Sequence, residues 1–223
     1  MPDLLEVRRA RPLLGTLVEI TARGGAAPRV AEAVDAAFAA IAAVHRLMSF
    51  HDRASDVTRL NRCAARTPVR VHAWTFAVLR EAQEVAQASA GLFDVTVASV
   101  LTRHRLLPGT PGAPVPHRSA SFRDIRLLPG LRVRFSRPLL LDLGGIAKGF
   151  AVDRAIDCLR AAGVCSGVVN AGGDLRCFGP VPHRVHVRDP NCPDRLLPWP
   201  SCAMAPSQPA ALISRDHVAP AGR

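Results

Sequence analysis

The sequence predicts an α+β protein, a mixed β-sheet with packed helices, on three observations. Short runs rich in β-branched residues recur along the chain, and longer segments carry apolar residues at three- and four-residue steps. The two kinds of segment do not alternate regularly, which argues against a doubly wound parallel sheet. No internal repeat at a fixed period is present, so a solenoid is excluded. At 223 residues the chain can bury a core as one large domain or two small ones.

Taken in order, Leu14 to Ala22 (LGTLVEITA) reads as a strand, which a Gly-Gly-Ala-Ala-Pro run then breaks. Val30, Ala33, Val34, Ala37, Phe38, Ile41, Val44 and Met48 mark an amphipathic helix. A second helix is expected from Ala73 to Ala90, with Phe76, Leu79, Ala82, Val85 and Ala86 along one face. Proline and glycine make Arg103 to His117 a loop. Strand-like runs follow at SFRDIRLL, LRVRFS and RPLLLDL, then a helix from Ile146 to Ala162. VCSGVVN and HRVHVRD return to strand character.

Composition narrows the function. A net charge of +11 raises nucleic-acid binding as a class, but the arginines are scattered and stacking aromatics are few, with no Tyr and two Trp. No apolar run approaches the ~18 residues of a membrane span. The opening residues carry no charged head followed by an apolar stretch, so a cytoplasmic location is the default expectation. Cys63, Cys158, Cys165, Cys177, Cys192 and Cys202 form no CxxC or Cys/His ligand spacing and read as small core or surface thiols. Of 29 basic residues, Lys148 alone is lysine. A compact ammonium can reach a phosphate or carboxylate where a planar guanidinium does not fit.

That lysine lies in the most informative segment, LLLDLGGIAKGFAVDRA, residues 139–155. An apolar strand would deliver Asp142 to its C-terminal end. Gly144 and Gly145 would turn the backbone sharply beside a ligand, and a helix would open with Lys148 in its first turn. The pattern suits a pyrophosphate, with Asp142 available for a ribose, a ring nitrogen or a metal. A Gly-rich turn carrying a surface lysine accounts for the same residues. A Walker A loop is excluded, because GGIAKG lacks the spacer and the Ser/Thr after Lys. Three further segments place polar residues at turns: MSFHDRASDVTRLN (48–61), where Ser55 or Asp56 could cap a helix, GLFDVTVASVL (91–101) with Asp94, and NAGGDLRCFG (170–179) with Asp174.

Together with RPLLGT at 11–16, these motifs occur in the order found in FAD:protein FMN transferases, which the chain resembles over roughly residues 10–190. The resemblance implies a flavin-transferase (T-fold-like) architecture and Mg²⁺-dependent transfer of FMN from FAD to a Thr or Ser hydroxyl of an acceptor flavoprotein, with AMP released. It implies that Leu14 stands where a flavin-contacting Met is usual and His51 at a usual aromatic position. Leu92, Phe93 and Asp94 match an adenosine-contacting segment. Asp142 and Lys148 match FAD-binding positions with catalytic roles, and the Gly145 carbonyl matches a metal ligand. The expected cofactors are FAD, as substrate, and Mg²⁺. Family members are often exported, which leaves the compartment open.

The family continues with a second metal-binding stretch, an Asp followed shortly by Ala-Leu-Ala-Thr. Here the chain reads WPSCAMAPSQPAALISRDHVAPAGR instead. Synonymous codons for Ser201 to His217 can be chosen so that the neighbouring frame reads LRDGALATSGAYFSRP, which contains the motif. The expectation is therefore an incomplete flavin transferase domain over 1–195 and an out-of-frame tail over 196–223. Such a tail would leave an unpaired sheet edge and impaired transfer. The alternatives are an inactive FAD-binding remnant, a FAD pyrophosphatase and, outside flavin chemistry, a nucleic-acid binder.

Overall fold

The computed structural model describes residues 5–189, 191, 192 and 194–204. Among the described residues, eight strands and five α-helices follow one another as β1 (Leu5–Leu13), β2 (Thr16–Gly24), α1 (Ala27–Met48), α2 (Asp56–Cys63), β3 (Val69–Arg70), α3 (Ala73–Ala88), α4 (Ala98–Arg103), β4 (Ile125–Leu128), β5 (Arg132–Phe135), α5 (Gly144–Ala161), β6 (Ser166–Ala171), β7 (Asp174–Arg188) and β8 (Leu196–Met204). The expected α+β class is observed. The chain divides into two compact units, Met1–Ile41 with Val152–Arg223, and Ala42–Ala151, so that the division falls within α1 and within α5.

The first unit is an antiparallel sheet in the order β1-β2-β6-β7-β8. Alternation in β2 buries Val18, Ile20 and Ala22 completely. The register sets Arg9 opposite Ile20 and Arg11 opposite Val18, on that same face. Both guanidiniums reach Asp35 of α1, at 2.7 and 2.6 Å, and Arg11 also stacks over Phe38. The hydrogen bond from Arg9 holds the exposed Asp35 carboxyl below its ordinary range. On the same face, Arg176 of β7 pairs with Asp153 of α5, and Arg160 of α5 lies over Phe178.

Two expectations change here. The strand starts at Thr16, not Leu14: Leu14 and Gly15 form the two-residue turn of a β1–β2 hairpin, with φ of 57° and 72°, as a type I′ turn requires. Residues 5–13 are a strand that periodicity does not reveal, because its inner face itself carries Arg9 and Arg11 and most of its residues are exposed. Residues 196–204, where no strand is expected, pair antiparallel with β7 as β8, which is the last strand in the sheet order among the described residues. The remainder of that tail lies outside the described residues.

The second unit carries a small antiparallel sheet, β3-β5-β4, and most of the helices. Helix α3 buries Thr75, Val78, Leu79, Ala82 and Ala86, so its inner stripe is rotated from the expected one, and Val85 is exposed. Thr75 can stand in the core because its hydroxyl donates to Asp56 (2.8 Å). RPLLLDL is not a strand. Among the described residues it has no strand assignment and joins neither sheet. No helix among the described residues is long and apolar enough to cross a membrane.

Candidate functional site

The segment leading into α5 is held by side chains rather than by a neighbouring strand. Leu139, Leu141 and Leu143 are fully buried, which fixes the depth of the chain. The Leu141 N–H donates to Asn61 Oδ1 (2.7 Å), and Asn61 Nδ2 donates to the Leu141 carbonyl (3.0 Å). The next amide, of Asp142, donates to the Val95 carbonyl (2.8 Å). Asp142 is half-buried, and its Oδ1 accepts from the Gly144 N–H (3.1 Å), an Asx-type turn that leads the chain into the helix.

The double glycine does a different job from the one expected. Gly144 and Gly145 are not among the glycines with positive φ; they are the first two residues of α5. What they supply is space. A Cβ on Gly144 would sit 3.2 Å from Asp142 Oδ2, and one on Gly145 would sit 3.4 Å from the Phe93 ring. Lys148 is the fifth residue of α5 rather than a first-turn residue. Four positions after Gly144, it shares that residue's helix face, and it is half-buried.

Phe93 reaches Gly145 because α3 ends in a tight reversal, with Ala90 and Gly91 at φ of 52° and 86° and the Gly91 N–H donating to the Ala86 carbonyl (2.8 Å). Leu92 then stands 94% exposed. Both carboxylate oxygens of Asp94 are engaged: Oδ1 accepts from the Thr96 N–H and hydroxyl (2.8 Å each), and Oδ2 accepts from the Phe122 N–H (3.1 Å). Asp94 therefore orders the loop that presents Leu92 and Phe93. The structure thus brings Phe93, Asp142 and Gly145 together, with the Asp94 loop behind them.

His51 is elsewhere in this unit. It is exposed and lines a cavity of about 210 Å³ with Arg53, Thr58, Arg62 and Thr110, whose walls include neither Asp142 nor Lys148. The loop before α2 is braced by Ser55, the N-cap, which accepts from the Thr58 N–H (3.0 Å).

Leu14 belongs to the sheet unit. It is a non-glycine residue in the left-handed region at a hairpin tip, a conformation that costs about 1 kcal/mol and must be held by its surroundings. The neighbouring hairpin, β6–β7, turns through Gly172 and Gly173, both with positive φ, and Asn170 Oδ1 accepts from the Gly173 N–H (3.0 Å). The two tips touch: a Cβ on Gly172 would lie 2.5 Å from Thr16 Oγ1.

Asn61 carries no role in the sequence reading, and Asp56 enters it only as a candidate helix cap, a place that Ser55 takes. The available signal is a buried polar residue beside Val57 and Leu60, on the apolar stripe of α2. For a divalent cation, the segment offers the Asp142 carboxylate and the Gly145 carbonyl. Among the described residues no group of three or more His, Cys, Asp or Glu is gathered as a metal cage, and Mg²⁺ commonly binds through one or two carboxylates with waters and substrate phosphates.

A family model described as "ApbE family" matches residues 14–214. The chain belongs to the ApbE family. Among similar proteins, the FAD:protein FMN transferase of Rhodobacter capsulatus is 30% identical over 192 residues, covering 80% of this chain and 36% of that protein. That of Treponema pallidum is 28% identical over 191 residues, covering 78% of this chain and 52% of its own length. The chain thus spans between about a third and a half of these curated relatives. The crystal structure of the ApbE protein of Thermotoga maritima matches with TM-score 0.75 and 26% identity, covering 88% of this chain and 68% of that one. The Pseudomonas stutzeri flavinyl transferase ApbE, at TM-score 0.71 and 23% identity, covers 87% of this chain and 66% of its own, and shares the fold. For the ApbE fold in this chain, the segment around Asp142 is the best-defined candidate site.

Proposed function

We propose that this chain transfers the FMN half of FAD to a Thr or Ser hydroxyl of an acceptor flavoprotein, releasing AMP. The observation that carries this reading is the junction before α5, where Asp142, two glycines without side-chain cover and Lys148 follow one another beside Phe93. Relatives named FAD:protein FMN transferase support it. In the step, the acceptor Oγ bonds to the FMN-side phosphorus while the bond from that phosphorus to the bridging oxygen breaks, and that oxygen leaves with AMP. Asp142 Oδ2, the carboxylate oxygen opposite the one that accepts from the Gly144 N–H, can take the hydroxyl proton. Lys148 offsets negative charge as it grows on the leaving oxygen. Mg²⁺ belongs to the reading as the ion that neutralises the pyrophosphate, with the Gly145 carbonyl as one ligand. With residues 196–223 read as out of frame, transfer by this chain is expected to be weak.

The test is incubation with FAD, Mg²⁺ and a flavoprotein domain bearing a Thr/Ser target, read by covalent flavin fluorescence, acceptor mass and AMP release. Lys148→Ala should lower AMP release on the order of 100-fold. Failure to bind FAD sinks the reading. The same reading of the tail also favours a second possibility, a FAD-binding remnant, which would retain FAD without releasing AMP. AMP release with no labelled acceptor would mean a FAD pyrophosphatase, and salt-dependent retention on DNA without flavin preference would mean a nucleic-acid binder. The assignment of residues 196–223 as out of frame is part of the same proposal, and sequencing the gene past codon 195 tests it.

A further inference from the structure

Asn61 is 2% exposed, on the buried side of α2 beside Val57 and Leu60, and its amide bonds both the backbone N–H and the C=O of one residue 80 positions away. Accepting from the Leu141 N–H at 2.7 Å and donating to the Leu141 carbonyl at 3.0 Å, it does for that residue what a paired strand would do. The distinction matters because the segment has no ladder. Leu139, Leu140, Leu141 and Leu143 are all buried, so apolar burial alone does not specify which residue of the run faces outward. A slip of this run by one residue would put Leu141 where Asp142 stands. Side-chain pairing at one residue removes the ambiguity, and the Asp142 N–H to Val95 carbonyl bond (2.8 Å) completes a two-residue clamp.

We infer that Asn61 is a positioning residue, which pins the register of residues 139–143 so that the Asp142 carboxylate is presented at the opening of α5. The inference rests on the reading of Asp142 as a site residue. It touches no substrate itself; it acts through the Leu141 peptide. The amide is required at this position. Alanine supplies neither bond, and glutamine is one methylene too long. Aspartate keeps the acceptor but sets a second oxygen against the Leu141 carbonyl, until protonation turns that oxygen into a donor.

The experiment compares the full chain with Asn61→Ala, Asn61→Asp and the fully buried control Leu79→Ala, all below their unfolding temperatures. Amide hydrogen exchange of the 139–148 peptide is measured together with FAD affinity by flavin fluorescence. Asn61→Ala should raise exchange across 139–148 and weaken FAD binding at least ~10-fold, a difference of about 1.4 kcal/mol. The Leu79→Ala control should do neither beyond ~2-fold, at a comparable loss of thermal stability. Asn61→Asp should resemble Asn61→Ala at pH 8 and move towards wild type, relative to wild type at the same pH, as the pH is lowered. It also supplies the test if the alanine variant does not fold. Exchange and affinity in Asn61→Ala no different from the control would overturn the proposal. If the wild type binds no FAD, the flavin reading fails, and the exchange comparison alone still decides whether Asn61 holds the register.

Discussion

The two units of this chain reach order by different means. In the sheet unit, long backbone ladders do the work: β1 and β2 pair without interruption from Leu5↔Gly24 to Leu13↔Thr16. Charged side chains there pair across exposed surfaces, as Arg8 does with Glu19 at 3.0 Å and Arg23 with Glu6 at 2.6 Å. In the other unit the strands are only two to four residues long. Buried polar side chains take over. Asp56, 4% exposed, accepts from the His72 N–H and the Thr75 hydroxyl at 2.8 Å each and pairs with Arg59. Asp124 likewise accepts from the Ser121 N–H and pairs with Arg137. Buried N–H and C=O groups must find partners, so where the backbone is too irregular to supply them, side chains do. The candidate site lies at the end of such an irregular segment.

This contrast can be broken or sharpened by substitution. The largest effect is expected from Asp56→Ala, which strands a backbone amide and a buried hydroxyl and should cost about 3 kcal/mol in urea unfolding. A cost below ~1 kcal/mol would mean that water replaces the carboxylate and that the second unit does not depend on buried polar clamps. In the sheet unit the sensitive points should be backbone ones. Gly172→Ala places a Cβ 2.5 Å from Thr16 Oγ1 at a φ of +64°, and should lower stability by about 2 kcal/mol. A neutral result would show that the hairpin tips are not packed against each other.

A smaller effect should come from His183, a buried exception within the sheet unit. It lies at a bulge in β7, where its Nε2 is 3.0 Å from Ser166 Oγ. Burial, helped by the charge of Arg23 and opposed by Glu6, pushes its pKa below the ordinary value. Since the unfolded histidine takes up a proton first, the stabilisation is complete above about pH 6.5 and is lost as pH falls from there through the lower folded value. His183→Gln should flatten the fall of thermal midpoint between pH 7.5 and 5, and an unchanged slope would remove His183 as its source. The smallest effect is expected from Arg8→Ala, under ~0.5 kcal/mol, because the Arg8–Glu19 pair is exposed and screened. A loss as large as that of Asp56→Ala would erase the distinction between the units.

Much of this was legible in the chain. The spacing of Val30, Val34, Phe38 and Ile41 marks α1, and all four are buried. The order Asp142, Gly144, Gly145, Lys148 marks the entry to α5. Other features were not. The charge-rich β1 shows no apolar alternation, because it lies at an edge of the sheet with most of its residues exposed. The inner face of α3 was misjudged around Thr75, whose burial depends on Asp56, 19 positions earlier.

What the sequence determined by itself are the properties written within a few residues: which segments can be helical, where glycines interrupt them, and which carboxylate and which lysine stand beside the double glycine. Tertiary structure decided whether an extended apolar run becomes a strand, and which polar residues serve as its partners. Helical hydrogen bonds close within four residues and can be read locally. An extended segment has no internal bonds, and for residues 139–143 the partner is an amide 80 positions away.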